Sequence, residues 1–335
     1  MAEIQAAEIK AYRSVAVGDT SANGGVMSDN VAVTGLKNNV FPDVSLAERT
    51  AGVTQLRKMF HKVENSADEI LYGAEAHLVE MTEGDDYVTL LNTTANADEL
   101  TDTQGDLSGE DEYGIGALST DADAADTSIV VTTEMDSPIV FRTGDKICIS
   151  RGNGTYFEYF DSITVTDRTN NVYTIALNGS LTYAYTQVQE SWVASVIAIG
   201  DVAPSYESDE TGIVSAGDFD DTTYPVVLNN IGTVEDIITL TVGGGGTTFT
   251  AQSTLLGSLV AGSVGVLYEP SHTVFGVPYF SIPALVWDGT FADGDVIIIT
   301  THPAAFPLWR KRYVPAGAAS LASNSYTVRV LGQTG

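Results

Sequence analysis

The chain has 335 residues, with 44 Asp and Glu against 15 Lys and Arg, and its net charge of −29 comes from a shortage of bases more than an excess of acids. A pI near 4.1 argues against general nucleic-acid or anionic-membrane binding, because phosphate would be repelled. The 44% hydrophobic share excludes intrinsic disorder, no apolar run reaches the roughly 18 residues of a transmembrane helix, and a single cysteine, Cys148, excludes an intrachain disulfide.

Residues 1–12 lack the basic start and apolar stretch of a secretion signal, so a soluble protein made in a cytoplasm is expected. As far as Phe41 the chain is rich in Gly, Asn, Ser and Asp, which favour turns, and reads as an extended arm with short β pieces. Pro42 and the spacing Ser45-x-x-Glu48 predict a capped helix over 45–51, ended by Gly52. Residues 54–63 read as a strand, followed by short alternating segments at 76–82 and 86–91 and an acidic loop region over 92–127. These make residues 1–127 an arm, helix and β/loop assembly region.

From residue 128 the pattern is β: Val-, Ile-, Thr- and Tyr-rich runs every 8–12 residues, separated by Gly-Asp and Asn-Gly turns. Residues 128–200 are expected to form a barrel-like domain, 201–225 a linker, 226–302 an Ig-like sandwich and 303–335 a basic docking segment. The fold class is therefore mainly β, with two sandwich- or barrel-like domains, an extended N-terminal arm and one short helix. Gly243–Gly246 reads as a hairpin turn rather than a phosphate cradle, since no helix follows it. Phe141-x-x-Gly144-Asp145-x-Ile147-x-Ile149 recurs as Phe291-x-x-Gly294-Asp295-x-Ile297-x-Ile299. Shared turn grammar explains this more simply than duplication does.

Charge is segregated. Residues 63–141 hold twenty acids and no base, residues 169–309 fourteen acids and no base, and the last 26 residues four bases and no acid. Solvation of the body is the plain explanation; docking of the ends on acidic faces of neighbouring copies is the sharper one.

No catalytic or cofactor motif is present. His61, His77, His272 and His302 lack metal-ligand spacing, and Cys148 lies between Ile147 and Ile149 in an expected strand, as a buried small hydrophobe would. Asp121, Asp123 and Asp126, and Asp218, Asp220 and Asp221, are the best Ca²⁺ candidates, but neither set has EF-hand spacing and solvated loops are the better reading. No catalytic residue, cofactor or metal is assigned. The dense aromatics Tyr156, Phe157, Tyr159 and Phe160 fall on both faces of a strand, which favours core packing over an interface.

Two stretches carry a resemblance. Asn23-Gly24-Gly25-x-Met27-Ser28 with Lys37-Asn38-Asn39-Val40-Phe41-Pro42-Asp43-Val44-Ser45-x-Ala47-Glu48-Arg49-x-x-Gly52 resembles the N-terminal part of structural proteins of tailed bacteriophages. His302-Pro303-Ala304-Ala305-x-Pro307-x-Trp309-x-Lys311-Arg312-x-Val314-Pro315-Ala316-Gly317-Ala318 resembles the same proteins, as do the preceding Gly276-x-Pro278-Tyr279-Phe280 and Trp287-x-Gly289-Thr290. The acidic middle is similar only in texture. The resemblance implies a non-enzymatic virion component, first a neck or collar protein around the head–tail junction, with tail, baseplate or capsid decoration behind it. A glycan-binding or glycan-cleaving host-recognition protein is the rival.

The expected partners are copies of the chain, as a trimer, and other virion proteins of the neck, tail or capsid, with no nucleic acid and no membrane. Phe41, Pro42, Arg49, Arg57, Trp309, Arg310, Lys311, Arg312 and Tyr313 are the expected subunit interface. On that reading, replacing Arg310, Lys311 and Arg312 by Ala impairs assembly more than folding.

Overall fold

The computed structural model describes residues 3–91, 96–100, 107, 110–134, 137–152, 154, 156–321 and 324–334. The described residues are mainly β, in several antiparallel sheets, with a short α-helix near the N-terminus. That helix, Leu46–Ala51, forms where its caps place it. The Ser45 side chain accepts from the Glu48 N–H, the Glu48 carboxylate accepts from the Ser45 N–H, and Gly52 ends it at φ 78°.

Three units result. The first is a six-stranded sheet built from both ends of the chain, in the order Gly24–Val31, Ile9–Ala16, Val53–Val63, Ala305–Val314, Tyr87–Leu91, Glu112–Tyr113. The second contains Phe157–Phe160, Lys146–Ser150, Trp192–Val202, Ile115–Leu118, Ser128–Thr132, Val172–Ala176 and Thr164–Thr169, and is extended by Leu71–Leu78 and Val328–Thr334. The strand Trp192–Val202 joins these parts: Trp192–Val196 pairs with Lys146–Ser150, whereas Ile197–Val202 pairs with Leu71–Ala76. The third unit orders Ser205–Gly212, Val296–His302, Asp236–Gly243, Thr248–Ser253 and Gly257–Ser258, beside a ribbon of Ala216–Phe219 with Trp287–Thr290.

Each unit buries its own apolar residues. Ile147, Ile149, Tyr173 and Val193 lie in the second core, and Leu240, Phe249, Ile297 and Ile299 in the third. A third cluster, including Val63, Leu78, Ile197 and Leu308, lies between the terminal sheet and the ribbon of Leu71–Leu78 with Val328–Thr334.

The expected boundaries need correction. Residues 201–225 are not a linker: Ser205–Gly212 pairs with Val296–His302, and Ala216–Phe219 with Trp287–Thr290, so most of the stretch belongs to the third unit. Its Gly, Ser and Asp residues make bulges and turns within strands, a distinction composition does not draw. The second unit begins before residue 128, since Ile115–Leu118 lies in its sheet. The segment expected at 76–82 is the strand Leu71–Leu78. Gly243–Gly246 does turn a hairpin between Asp236–Gly243 and Thr248–Ser253.

The repeated Phe-x-x-Gly-Asp motif has the same local geometry twice. Gly144 and Gly294 take φ 100° and 94°, and each Asp accepts from the N–H three residues earlier, on Arg142 and Ala292, both at 2.8 Å. Phe141 and Phe291 are buried, as are Ile147, Ile149, Ile297 and Ile299. The two copies differ in their surroundings. Asp295 also accepts from the Val214 and Ser215 N–H groups and from the Ser215 hydroxyl, holding the loop before Ala216–Phe219 against the sheet. These donors hold its carboxyl below the usual range, the Ala292 N–H most of all. Asp295→Ala is therefore expected to lower the melting temperature more than Asp145→Ala; equal losses by calorimetry would show that the extra bonds contribute nothing.

Candidate functional site

The terminal sheet carries half of the chain's cationic side chains, and register sorts them by type. Arg310 is opposite Arg57, Ala11 opposite His61 and Arg13 opposite Met59. Alternation then places Arg13, Arg57, Arg310 and Arg312 on one face, and Lys10, Lys58, Lys62 and Lys311 on the other.

The lysine face is neutralised internally. Lys58 is fully buried, donates to the backbone carbonyls of Gly25 and Asn96 at 3.0 and 2.8 Å, and forms an ion pair with Asp98. Burial pulls its pKa down, against the pull of Asp98. Trp309 lies beside it, fully buried, and its indole N–H donates to Asp98 at 3.2 Å. Lys311 and the Tyr313 hydroxyl both reach Glu112 Oε1 at 2.7 Å, and Tyr313 stacks on Tyr87. Lys10 pairs with Glu64 at 2.5 Å. Lys62, pushed down to about 8 by burial, donates to the Ile231 carbonyl at 2.5 Å and ties the sheet to the third unit. Asn230 adds to this junction, its N–H donating to Asp68 and its side-chain amide to the Glu69 carbonyl.

The arginine face is built differently. Arg57 has a carboxylate, Asp19, at 2.6 Å. Arg13 donates to the Asn39 side chain, Arg312 to the Gln55 side chain and the Pro42 carbonyl, and Arg310 to the Tyr326 hydroxyl and His61. These acceptors are neutral. Phe41 is buried beneath the guanidinium groups of Arg57 and Arg312, whose centres lie 5.6 and 4.7 Å from its ring. Residues 31–44, 318–321 and 324–328 cover this face, and between them and the sheet lies a cavity of about 1080 Å³ that also admits Arg49.

The expected interface must be revised at these positions. Phe41, Arg57, Trp309, Arg310 and Arg312 are all buried within the chain itself, and Lys311 and Tyr313 are engaged by Glu112. Only Pro42 is exposed, with Arg49 half-buried. Residues 305–314 form an interior strand flanked by Val53–Val63 and Tyr87–Leu91, so this part of 303–335 is not a free basic docking segment. Replacing Arg310, Lys311 and Arg312 together by Ala would damage folding itself.

Sequence reasoning missed Lys58, His61, Lys62, Asp98 and Glu112 as parts of this network. One signal was available: Val53–Val63 has basic residues at 57, 58 and 62, on both faces of a strand, which a strand with one solvated face would not show.

The remaining candidates have local roles. Cys148 is buried, with its thiol pushed up to about 12, mainly by burial. Asp126 accepts from the Asp123 N–H, Asp121 from the Gln187 N–H, Asp220 from the Thr223 N–H, and Asp221 from the Ser208 hydroxyl. Among the described residues no group of three or more His, Cys, Asp or Glu could hold a metal ion. Phe160 lies in the second core and Tyr156 packs against that core, while Tyr159 meets His77 and Arg329 lies over Phe157, so both faces of that strand are covered. No protein-family model matches the chain, and no curated protein matches it in sequence.

Proposed function

We propose that the chain is a non-enzymatic structural component of a tailed-phage particle, a neck or collar protein that assembles with copies of itself, as a trimer, at the head–tail junction. The observation that carries this reading is that the two stretches resembling phage structural proteins, far apart in sequence, interlock in space. Gly24 is packed so tightly that an added Cβ would sit 3.0 Å from Trp309, the Arg312 guanidinium donates to the Pro42 carbonyl at 2.9 Å, and the Gly317 N–H donates to the Arg49 carbonyl at 2.7 Å. The two longest stretches of the likeness therefore meet in one structural unit, while residues 278–280 and Trp287–Thr290 lie in the third. The third unit adds exposed apolar side chains, Val214, Val260, Val274 and Leu285, each at least 65% exposed, beside acids and no base. Such surface suits contact with a neighbour.

The rival glycan reading has less support. The Tyr156 and Tyr183 rings lie tilted against each other at 4.4 Å near the surface, but Glu158 beside them accepts from the Thr182 and Tyr183 N–H groups and the Tyr185 hydroxyl, and so acts as a loop brace.

Mass spectrometry of purified mature particles, with density assignment by cryo-electron microscopy, tests the proposal. The chain should be present in several symmetric copies at the junction. Its absence from mature particles would overturn the reading, and its presence at the baseplate or on the capsid would move it to another station.

A further inference from the structure

We infer that the cavity on the arginine face takes a carboxylate-bearing, base-free segment of a second copy of the chain. The inference rests on the self-assembly part of the reading above.

Arg310 and His61 line the cavity at 6% and 5% exposure. Arg310 Nη2 donates to His61 Nε2 at 3.2 Å, so the neutral imidazole carries its proton on Nδ1. Two buried donors are then left without an acceptor, Arg310 Nε–H and His61 Nδ1–H. Native proteins leave few buried donors in that state, and a group that does so beside a cavity points to a missing partner.

Charge identifies the partner's chemistry. Among the described residues no carboxylate lies within ion-pair distance of Arg49, Arg310 or Arg312, although all three line the cavity. The acids in the lining have other direct partners, Asp43 with Lys37, Asp85 with the Ala319 N–H and Asp86 with Asn324. Asp43 and Asp86 attract Arg312 from beyond ion-pair distance, which leaves Arg49 and Arg310 as the cations to be met. A carboxylate supplies both acceptor atoms and counter-charge, in the planar geometry that guanidinium groups match.

Size and lining identify its form. A cavity of about 1080 Å³ exceeds the roughly 300–1,000 Å³ that accommodates drug-sized ligands, so a lone ion would leave most of it empty. Exposed apolar side chains, Val33, Leu36 and Leu321, stand in its wall, as they would for a polypeptide with both charged and apolar side chains. The chain itself supplies such sequence: the blocks 63–141 and 169–309 carry 34 carboxylates and no Lys or Arg. A positively lined cavity in a chain of net charge −29 is complementary to that body.

Sedimentation of the purified full chain over a range of concentrations at low salt tests the inference. The chain should self-associate, with the dissociation constant raised at least tenfold by 0.5 M salt. Arg310→Met should weaken association tenfold or more while leaving the melting temperature unchanged or higher, since it removes an unpaired buried charge and keeps the stem. Arg49→Gln, at a half-buried position, should weaken association in the same direction and decides the matter if Arg310→Met does not fold. A chain that stays monomeric at all concentrations, or variants that associate as the parent does, would overturn the inference. If citrate raises the melting temperature of the parent but not of Arg310→Met, and no association occurs, the cavity is a small-anion site and the second-copy occupant is wrong. None of these outcomes depends on where the protein sits in a particle.

Discussion

Asp98→Ala should cost about 3–5 kcal/mol of folding stability, because it removes the carboxylate that is ion-paired with the fully buried Lys58 ammonium. The loss is a large part of the roughly 5–15 kcal/mol that holds a typical domain folded. Two further effects act in the same direction, since the Trp309 indole N–H loses its acceptor and the Arg57–Lys58–Met59 stretch lies in the middle of the terminal sheet. The backbone carbonyls of Gly25, Asn96 and Asp98 still accept from Lys58 in the variant, so those hydrogen bonds survive while the one to the Asp98 carboxylate is lost. Lys58→Met combined with Asp98→Ala should recover much of the stability, because neither charge then remains buried. Urea unfolding of the parent, the single variant and the double variant checks this. A single variant as stable as the parent, or a double variant no better than the single, would show that the pair contributes little.

His61 should make the protein acid-sensitive well above the range where most carboxylates titrate. Burial pushes its pKa down to about 3, and the neighbouring Arg310 guanidinium acts in the same direction. In the unfolded chain the ordinary value near 6.5 returns. Between those values the unfolded state binds a proton that the folded state refuses, so stability is full above pH 6.5 and falls as the pH drops towards 3. The drop from this one group is on the order of 5 kcal/mol, since each unit of difference corresponds to about 1.4 kcal/mol. His77, also lowered by burial, adds in the same sense. His61→Gln keeps an acceptor for Arg310 without a proton to take up. It should match the parent at pH 7 to within about 1 kcal/mol and exceed it at pH 4. Parallel denaturation curves at the two pH values decide; an unchanged pH dependence in the variant would remove His61 as the cause.

What the sequence made visible was what is fixed over a few residues. Ser45, Glu48 and Gly52 announce their helix because each cap is completed within four positions. Gly294 and Asp295 announce their turn for the same reason, and the β character of the body shows in its Val-, Ile- and Thr-rich runs. The terminal strand Ala305–Val314 was misread because its meaning depends on partners near the other end of the chain. Arg310, Lys311 and Arg312 look like a basic cluster for an external surface until register sets them opposite Arg57, Leu56 and Gln55. Composition carries no information about which of two sheet faces a base will occupy, or that Asp98, Glu112 and Asp19 will meet three of them. Residues 201–225 failed for a related reason: Gly, Ser and Asp mark turns, but they also occupy edge strands whose pairing is long-range.

The pairing of Ser205 with His302 has a consequence for how the chain can change over time. The third unit begins just after Val202 and ends just before Ala305, and its first and last strands run side by side. Entry and exit are thus zipped together at one place, and the remainder of the fold treats everything between them as a single bracketed insert. Such a module can be lost, enlarged or exchanged for another of different surface without rethreading the strands that flank it. The polar latch made by Lys62, Asp68 and Glu69 with Ile231 and Asn230, and the Asn96–Glu235 contact beside it, would need to be renegotiated at each exchange.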